Sequence, residues 1–150
     1  MSKTAAAALS FETTHYVRDR CLCLHVQRAA RAMARRFDEA LRPLDLTNGQ
    51  FSLLMSLNRP GPAKMAEICS LLAMDRTTLT ANLKPLERRG LLRVSVDEAD
   101  RRLRLLTLTE AGRRLLARAM PIWTRSHEEI DRLLKGSDID GLRADLRALA

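Results

Sequence analysis

Aromatic side chains are scarce: one Trp, one Tyr and three Phe make up 3% of 150 residues. Leu, Ala, Val and Met must therefore fill the core, a palette that favours packed helices over sheets rich in rings. Cysteine is sparse and odd in number, at three. That argues against a framework of paired disulfides and for a reducing cytoplasmic setting. No apolar run approaches the roughly 20 residues a membrane span needs. The opening MSKTAAAALSFETTHYVRDR has no apolar centre of the secretory type, and residues 1–12 are expected to be a flexible tail. There is no glycine-rich phosphate loop and no recognisable nucleophile–base–acid set, so an enzyme is not expected. His15, His25 and His127 are scattered, and His127-Glu128-Glu129-Ile130-Asp131 fails the H-E-x-x-H pattern at its second histidine. No metal and no cofactor are expected.

What is present in excess is positive charge. The formal net charge is +8, with a pI near 10.4, which suits a nucleic-acid partner. The charge does not locate a site, because residues 61–112 hold nine Lys or Arg against seven Asp or Glu. At this length the chain reads as a single domain.

Residues 62–112 carry the most specific pattern. Met65, Ile68, Cys69 and Leu72 fall at helical spacing and make one apolar face. A very short connection, Ala73-Met74, leads to Asp75, a residue suited to capping the next helix by accepting the amide of Thr77 or Thr78. In that second helix Leu79, Leu83 and Leu86 share a stripe and pack down. At 100° per residue Thr77, Ala81, Lys84 and Arg88 point the other way, with Thr80 at the margin. Together with Arg76 and Thr78 at its start, this face is small, polar and basic, and it has no acid before Glu87. An ordinary solvated face usually carries glutamates as well; one fit for base edges and phosphates does not. Pro85 removes one backbone hydrogen bond, but only after the turns that would enter a groove. Gly90 suits the C-terminal cap. Residues 91–96 and 103–108 then read as paired strands. The loop between them, Asp97-Glu98-Ala99-Asp100-Arg101-Arg102, places three carboxylates beside two arginines. One aspartate is expected to orient one arginine while the other reaches the minor groove or phosphates. A helix-turn-helix followed by such a ribbon is a DNA-binding arrangement.

Three blocks in this order and spacing resemble the MarR family of winged-helix transcription regulators: Leu86-Glu87-Arg88-Arg89-Gly90-Leu91, then Asp97 to Arg102, then Leu108-Thr109-Glu110-Ala111-Gly112. The similarity extends from about Val17 to Ala150. Pro85 departs from the commoner family pattern. The resemblance implies a mainly α fold with a small β-wing: a winged helix-turn-helix DNA-binding lobe over 47–109, with dimerisation helices over 17–44 and 110–150. It also implies a homodimer on double-stranded DNA with an inverted-repeat operator, acting as a repressor released by a small phenolic or carboxylic effector. The effector would lie between the dimerisation helices and the lobe, where His25, Arg28, Met33, Phe51, Met55 and Trp123 are pocket candidates that serve equally as ordinary core or surface.

The flanking segments agree with pairing of two chains. Leu22, Val26, Ala29, Met33, Phe37, Ala40 and Leu44 recur along one helix expected over 17–41, which Arg42-Pro43 ends. Thr47 and Gln50 form a capping-box pair for a helix to about Leu57. Leu116, Met120, Trp123, His127, Ile130 and Leu134 make a helix–helix seam behind the wing, with Pro121 expected to bend it. Ile139, Leu142, Leu146 and Leu149 mark a short last helix. Cys21 and Cys23 stand about 200° apart around a continuous helix and could not bridge without unwinding it. Cys23 is expected to be a packed thiol. It lies near the reactive cysteine of the peroxide-sensing branch of the family, but of that branch's tyrosines only Tyr16 is present. A cysteine redox sensor on the same fold, or a winged helix that binds protein rather than DNA, are the alternatives.

Overall fold

The computed structural model describes residues 9–150, and they divide at Met33 into two units. The flexible tail expected over 1–12 lies mostly outside the described residues. Its end is already helical, because the Ser10 hydroxyl accepts the Thr13 amide at 3.3 Å and caps helix α1, Phe11–Arg20. The single helix expected over 17–41 is instead two. Cys21 leaves the helical region, with φ −70° and ψ 100°, and helix α2, Leu22–Leu41, begins after it. No glycine or proline marks Arg20-Cys21-Leu22, and the apolar period given for this segment begins only at Leu22, after the break. No side chain of α1 is buried. Cys23, expected to be a packed thiol, is exposed, since no other element of the described chain covers its turn of α2.

The second unit, from Ala34, holds the core. Phe37 and Leu41 at the end of α2, and Leu44 in the 3-10 turn Arg42–Leu44, are buried. Helix α3, Asn48–Ser56, opens on a complete capping box: the Thr47 hydroxyl accepts the Gln50 amide at 3.2 Å, and Gln50 accepts the Thr47 amide at 3.1 Å. A short strand β1, Ala63–Lys64, precedes helix α4, Met65–Leu71. The turn into helix α5, Arg76–Arg88, is tight enough to put Ala73 in the left-handed region at φ 49°. Pro85 sits inside α5 without ending it. Its lost hydrogen bond falls in the last turns, behind Leu79, Leu83 and Leu86, which are all buried.

Strands β2, Leu92–Val96, and β3, Arg104–Leu108, pair antiparallel from Leu92↔Leu108 to Val96↔Arg104. The ribbon is not two-stranded as expected. β1 adds to the free edge of β3 through Ala63↔Leu106 and Lys64↔Leu105, giving the order β1-β3-β2. Two residues between Pro62 and a helix are too few to show a strand period. Helix α6, Glu110–Leu133, is capped by Thr109 and runs through Pro121. Helix α7, Ile139–Ala148, follows a turn at Gly136, φ 92°. The seam on α6 divides. Leu116 and Ile130 are buried in the core, while Met120, Trp123 and Leu134 pack against it half-buried.

Candidate nucleic-acid interface

α5 is held at both ends by side chains. Asp75 accepts the Thr78 amide and the Thr78 hydroxyl, each at 2.8 Å. Those bonds, the amide's first, hold its carboxylate below the ordinary value of 3.8, so the cap is ionised at neutral pH. At the other end the Arg89 guanidinium donates to the carbonyls of Leu44 and Asp45, just before α3. Arg89 therefore ties helices together, whereas its neighbour Arg88 makes no such side-chain bond among the described residues. With the three leucines facing inward, Arg76, Thr77, Thr78, Ala81, Lys84 and Arg88 are exposed and Thr80 is half-buried.

The three threonines of this face differ in what their hydroxyls do. Thr78 is spent on the cap. Thr80 donates back to the Arg76 carbonyl at 2.7 Å, a bond available to any helical threonine. Among the described residues no protein group takes the Thr77 hydroxyl.

The wing tip is ordered by its carboxylates. Asp97 accepts the Ala99 amide at 2.8 Å. Asp100 accepts the amide of Arg102 at 3.0 Å and its Nε at 3.2 Å. The Arg102 side chain stays 92% exposed despite this hold, so it is oriented and still open. Arg101 is exposed, and among the described residues its guanidinium has no carboxylate partner. The turn closes through Asp97 N to Leu103 O at 3.1 Å and Leu103 N to Asp100 O at 2.9 Å.

The fold also gathers cations that the sequence leaves apart. A cleft of about 330 Å³ is lined by Lys64, Arg76, Arg102 and Arg104 over Met65 and Cys69. Arg76 begins α5, Lys64 precedes α4, and Arg102 and Arg104 flank the base of the wing. Lys64 and Arg104 went unnoticed in the sequence. The only signal for Arg104 is its place two residues after Arg102, on the same side of an extended segment. Lys64 had none, because β1 brings it there by pairing with Leu105.

A second cavity, of about 420 Å³, is lined by Phe51, Ser52, Met55, Ser56, Leu71, Leu72, Met120 and Trp123. The Phe51 and Trp123 rings stack with centroids 6.5 Å apart. Three pocket candidates thus share one wall. His25, Arg28 and Met33 belong to the first unit and do not line it. His127 lies against Trp123 at 4.1 Å and Phe37 at 5.0 Å. Burial there lowers its pKa from the ordinary 6.5, and Arg143 adds to this against the opposing pull of Asp131. Among the described residues no three His, Cys, Asp or Glu side chains are grouped to hold a metal ion, and no helix is long and apolar enough to cross a membrane.

An exposed capped helix, a preceding helix at a tight turn and a carboxylate-ordered wing coincide with residues 46–103, which match the model of the MarR family. The regulator HosA of Escherichia coli O111:H- is 35% identical over 95 residues, 63% of this chain and 70% of that protein. The transcriptional regulator MosR of M. tuberculosis, solved in complex with DNA, is 36% identical, with a TM-score of 0.78 over 87% of this chain and 93% of that one. The chain belongs to the MarR family. It is a winged-helix transcription regulator and not an enzyme. Another MarR-fold neighbour is BpsR of Bordetella bronchiseptica, 28% identical, with a TM-score of 0.67 over 83% of this chain and 92% of that one. Its structure concerns regulation of DNA binding by 6-hydroxynicotinic acid. In the winged-helix fold α5 is the second helix of the helix-turn-helix and the β2–β3 turn is the wing.

Proposed function

We propose that this MarR-family chain binds double-stranded DNA as a homodimer on an inverted-repeat operator, represses transcription there, and is released by a small aromatic effector of the phenolic or carboxylic class. The observation that carries the DNA reading is the outward face of α5. Arg76, Thr77, Ala81, Lys84 and Arg88 are exposed on it, Asp75 fixes its start, and Asp100 holds Arg102 beside it at the wing. Thr78 and Thr80 contribute through the cap and the backbone. A second copy related by a two-fold axis would bring two such helices to successive turns of one DNA face, which is why the operator is read as an inverted repeat. Repression follows from occupancy, since a dimer seated over a promoter excludes polymerase from the same face. A cytoplasmic location goes with this reading.

The effector reading rests on the apolar cavity with the Phe51–Trp123 stack, which offers a planar ligand two ring faces and the soft side chains of Met55 and Met120. His25, Arg28 and Met33 join that proposal only if a dimer brings them to the same space. A fluorescence-anisotropy titration on the DNA upstream of the chain's own gene tests the first part. Tight binding to that DNA, weaker binding to random duplex and a protection footprint with two-fold symmetry are expected. Equal affinity for both duplexes would overturn it. Adding hydroxybenzoates to the preformed complex tests release, and quenching of the single tryptophan reports occupancy of the cavity.

A further inference from the structure

A chain that sets α5 in the major groove and its wing in the adjoining minor groove must straddle the sugar–phosphate strand that divides them. The surface between the two elements then faces phosphates. In this protein that surface is the cleft of about 330 Å³ lined by Lys64, Arg76, Arg102 and Arg104, with Met65 and Cys69 beneath them. Residues 61–112 hold nine Lys or Arg and seven Asp or Glu, yet four of those cations and none of those acids line it. The acids close in sequence are drawn elsewhere. Glu67 accepts the Lys64 amide at 3.3 Å and pairs with Arg59 at 3.3 Å. Asp75 is spent on the Thr78 amide and hydroxyl, and Asp100 on Arg102. Among the described residues Lys64, Arg76 and Arg104 have no carboxylate partner. The Arg104 guanidinium is steered by the Arg101 carbonyl, to which Nη1 donates at 3.4 Å. Lys64 is fixed at its backbone by pairing with Leu105. Three unpaired cations on one cleft repel one another, and the apolar floor weakens the screening between them. An anion in the cleft removes that repulsion.

We propose that Lys64, Arg76 and Arg104 hold a backbone phosphodiester of the DNA in this cleft and so set the register of the duplex between α5 and the wing. The site rests on the DNA reading given above and extends it to Lys64 and Arg104, which lie outside both the α5 face and the wing tip. Each arginine offers a forked set of donors that fits phosphate oxygens, and the lysine adds a point charge. Such a contact carries no base identity. It positions the duplex so that α5 meets the same base pairs at each encounter. Its strength therefore appears in the salt dependence of binding rather than in the base preference.

The full chain and its double variant Lys64→Ala/Arg104→Ala are titrated from low to high salt on the duplex upstream of the chain's own gene and on a random duplex. The log–log slope of the double variant is expected to be flatter by about 0.9 for each subunit bound, equally on both duplexes. Lys64→Arg/Arg104→Lys keeps both charges and is expected to keep the parent slope. A loss of slope in that variant as well would assign the effect to folding and overturn the phosphate contact. A scan of the upstream duplex with single methylphosphonate linkages, each of which removes one charge, locates the phosphate. One linkage per half-site is expected to weaken the parent and leave the alanine variant unaffected, while the other sensitive linkages weaken both alike. An unchanged slope, or an alanine variant sensitive to every linkage that the parent senses, would overturn the contact. Equal binding of the parent to both duplexes defeats the operator reading alone, because the slope difference on random DNA still decides the cleft. Preference for the upstream duplex with an unchanged slope defeats the cleft alone.

Discussion

Thr77 and Arg101 carry side chains without a protein partner among the described residues, Arg102 is held by Asp100 yet exposed, and the three are expected to do different work. The Thr77 hydroxyl has no protein partner among the described residues and lies on the outward face of α5. Replacing it with Val keeps the shape and removes the polar atom. If Thr77 reads a base, binding to the specific duplex should weaken by about 1–3 kcal/mol, and preference at one base pair should relax. Equal loss on specific and random DNA would assign it to the backbone instead. Arg101→Ala should weaken binding on all sequences and flatten the log–log salt dependence by about 1, as expected for one phosphate contact. Arg102→Ala should do the same. Asp100→Asn should reproduce part of the Arg102 loss, because it removes the charge that orients that guanidinium at 3.2 Å. Unchanged salt slopes in all three would remove the wing from the interface.

At the scale of elements, α5 is positioned by how β3 hands over to α6. Thr109 caps α6 by accepting the Gly112 amide at 3.1 Å and also donates to the Gly90 carbonyl at 2.6 Å, beyond the end of α5. Gly112 has no room for a side chain, since a Cβ there would stand 2.1 Å from the Leu91 carbonyl oxygen and 2.6 Å from Leu108 Cδ1. Gly112→Ala should therefore destabilise by at least 1–3 kcal/mol, roughly the cost of overpacking, and lower the thermal midpoint. Gly49 is the counter-case. It lies in α3, and its added Cβ would meet Asn82 Oδ1 at an ordinary 3.7 Å. Gly49→Ala should raise stability by about 0.5–1 kcal/mol through the less flexible unfolded chain. Thermal melts of the pair check both signs. The Thr47–Gln50 box and the Asp75 cap were legible in sequence because a cap is decided within four residues. The closeness of Gly112 to Leu91 was not, because it joins residues twenty-one positions apart.

The whole molecule leaves apolar side chains uncovered at both ends of the described chain: Phe11, Val17 and Leu22 in the first unit, and Leu133, Leu142, Leu146 and Leu149 in the second. A second copy is the proposed cover. Removing residues 137–150 should shift sedimentation toward monomer at concentrations where the full chain is dimeric. An unchanged dimer would exclude α7 from the interface. His127 gives a pH dependence of definite sign. Burial lowers its pKa below 6.5, so the unfolded chain takes up the proton first. The stability it contributes is full at pH values above 6.5 and is lost as pH falls through that value and below. His127→Gln should flatten this part of the stability–pH curve, measured by urea melts between pH 8 and 5. Equal slopes for parent and variant would assign the dependence to other groups.

Sequence alone determined what nearest neighbours along the chain decide. The leucine stripe of α5 faces inward because residues three and four apart share a helix face. Its polar face is outward for the same reason, and the wing turn is ordered by carboxylates two residues from the groups they hold. Tertiary structure decided what distant segments do together. It added β1 to the sheet, and so carried Lys64 to Arg76, Arg102 and Arg104. It set Arg89 on the carbonyls before α3, giving a scaffold role to a residue that adjoins the proposed DNA-binding face. The break of the N-terminal helix at Cys21 also escaped the sequence reading, although the apolar period starts only at Leu22. A period records which face a residue would occupy if the helix were continuous. It holds no information on where the helix stops unless a cap, a glycine or a proline marks the place, and Cys21 is none of these.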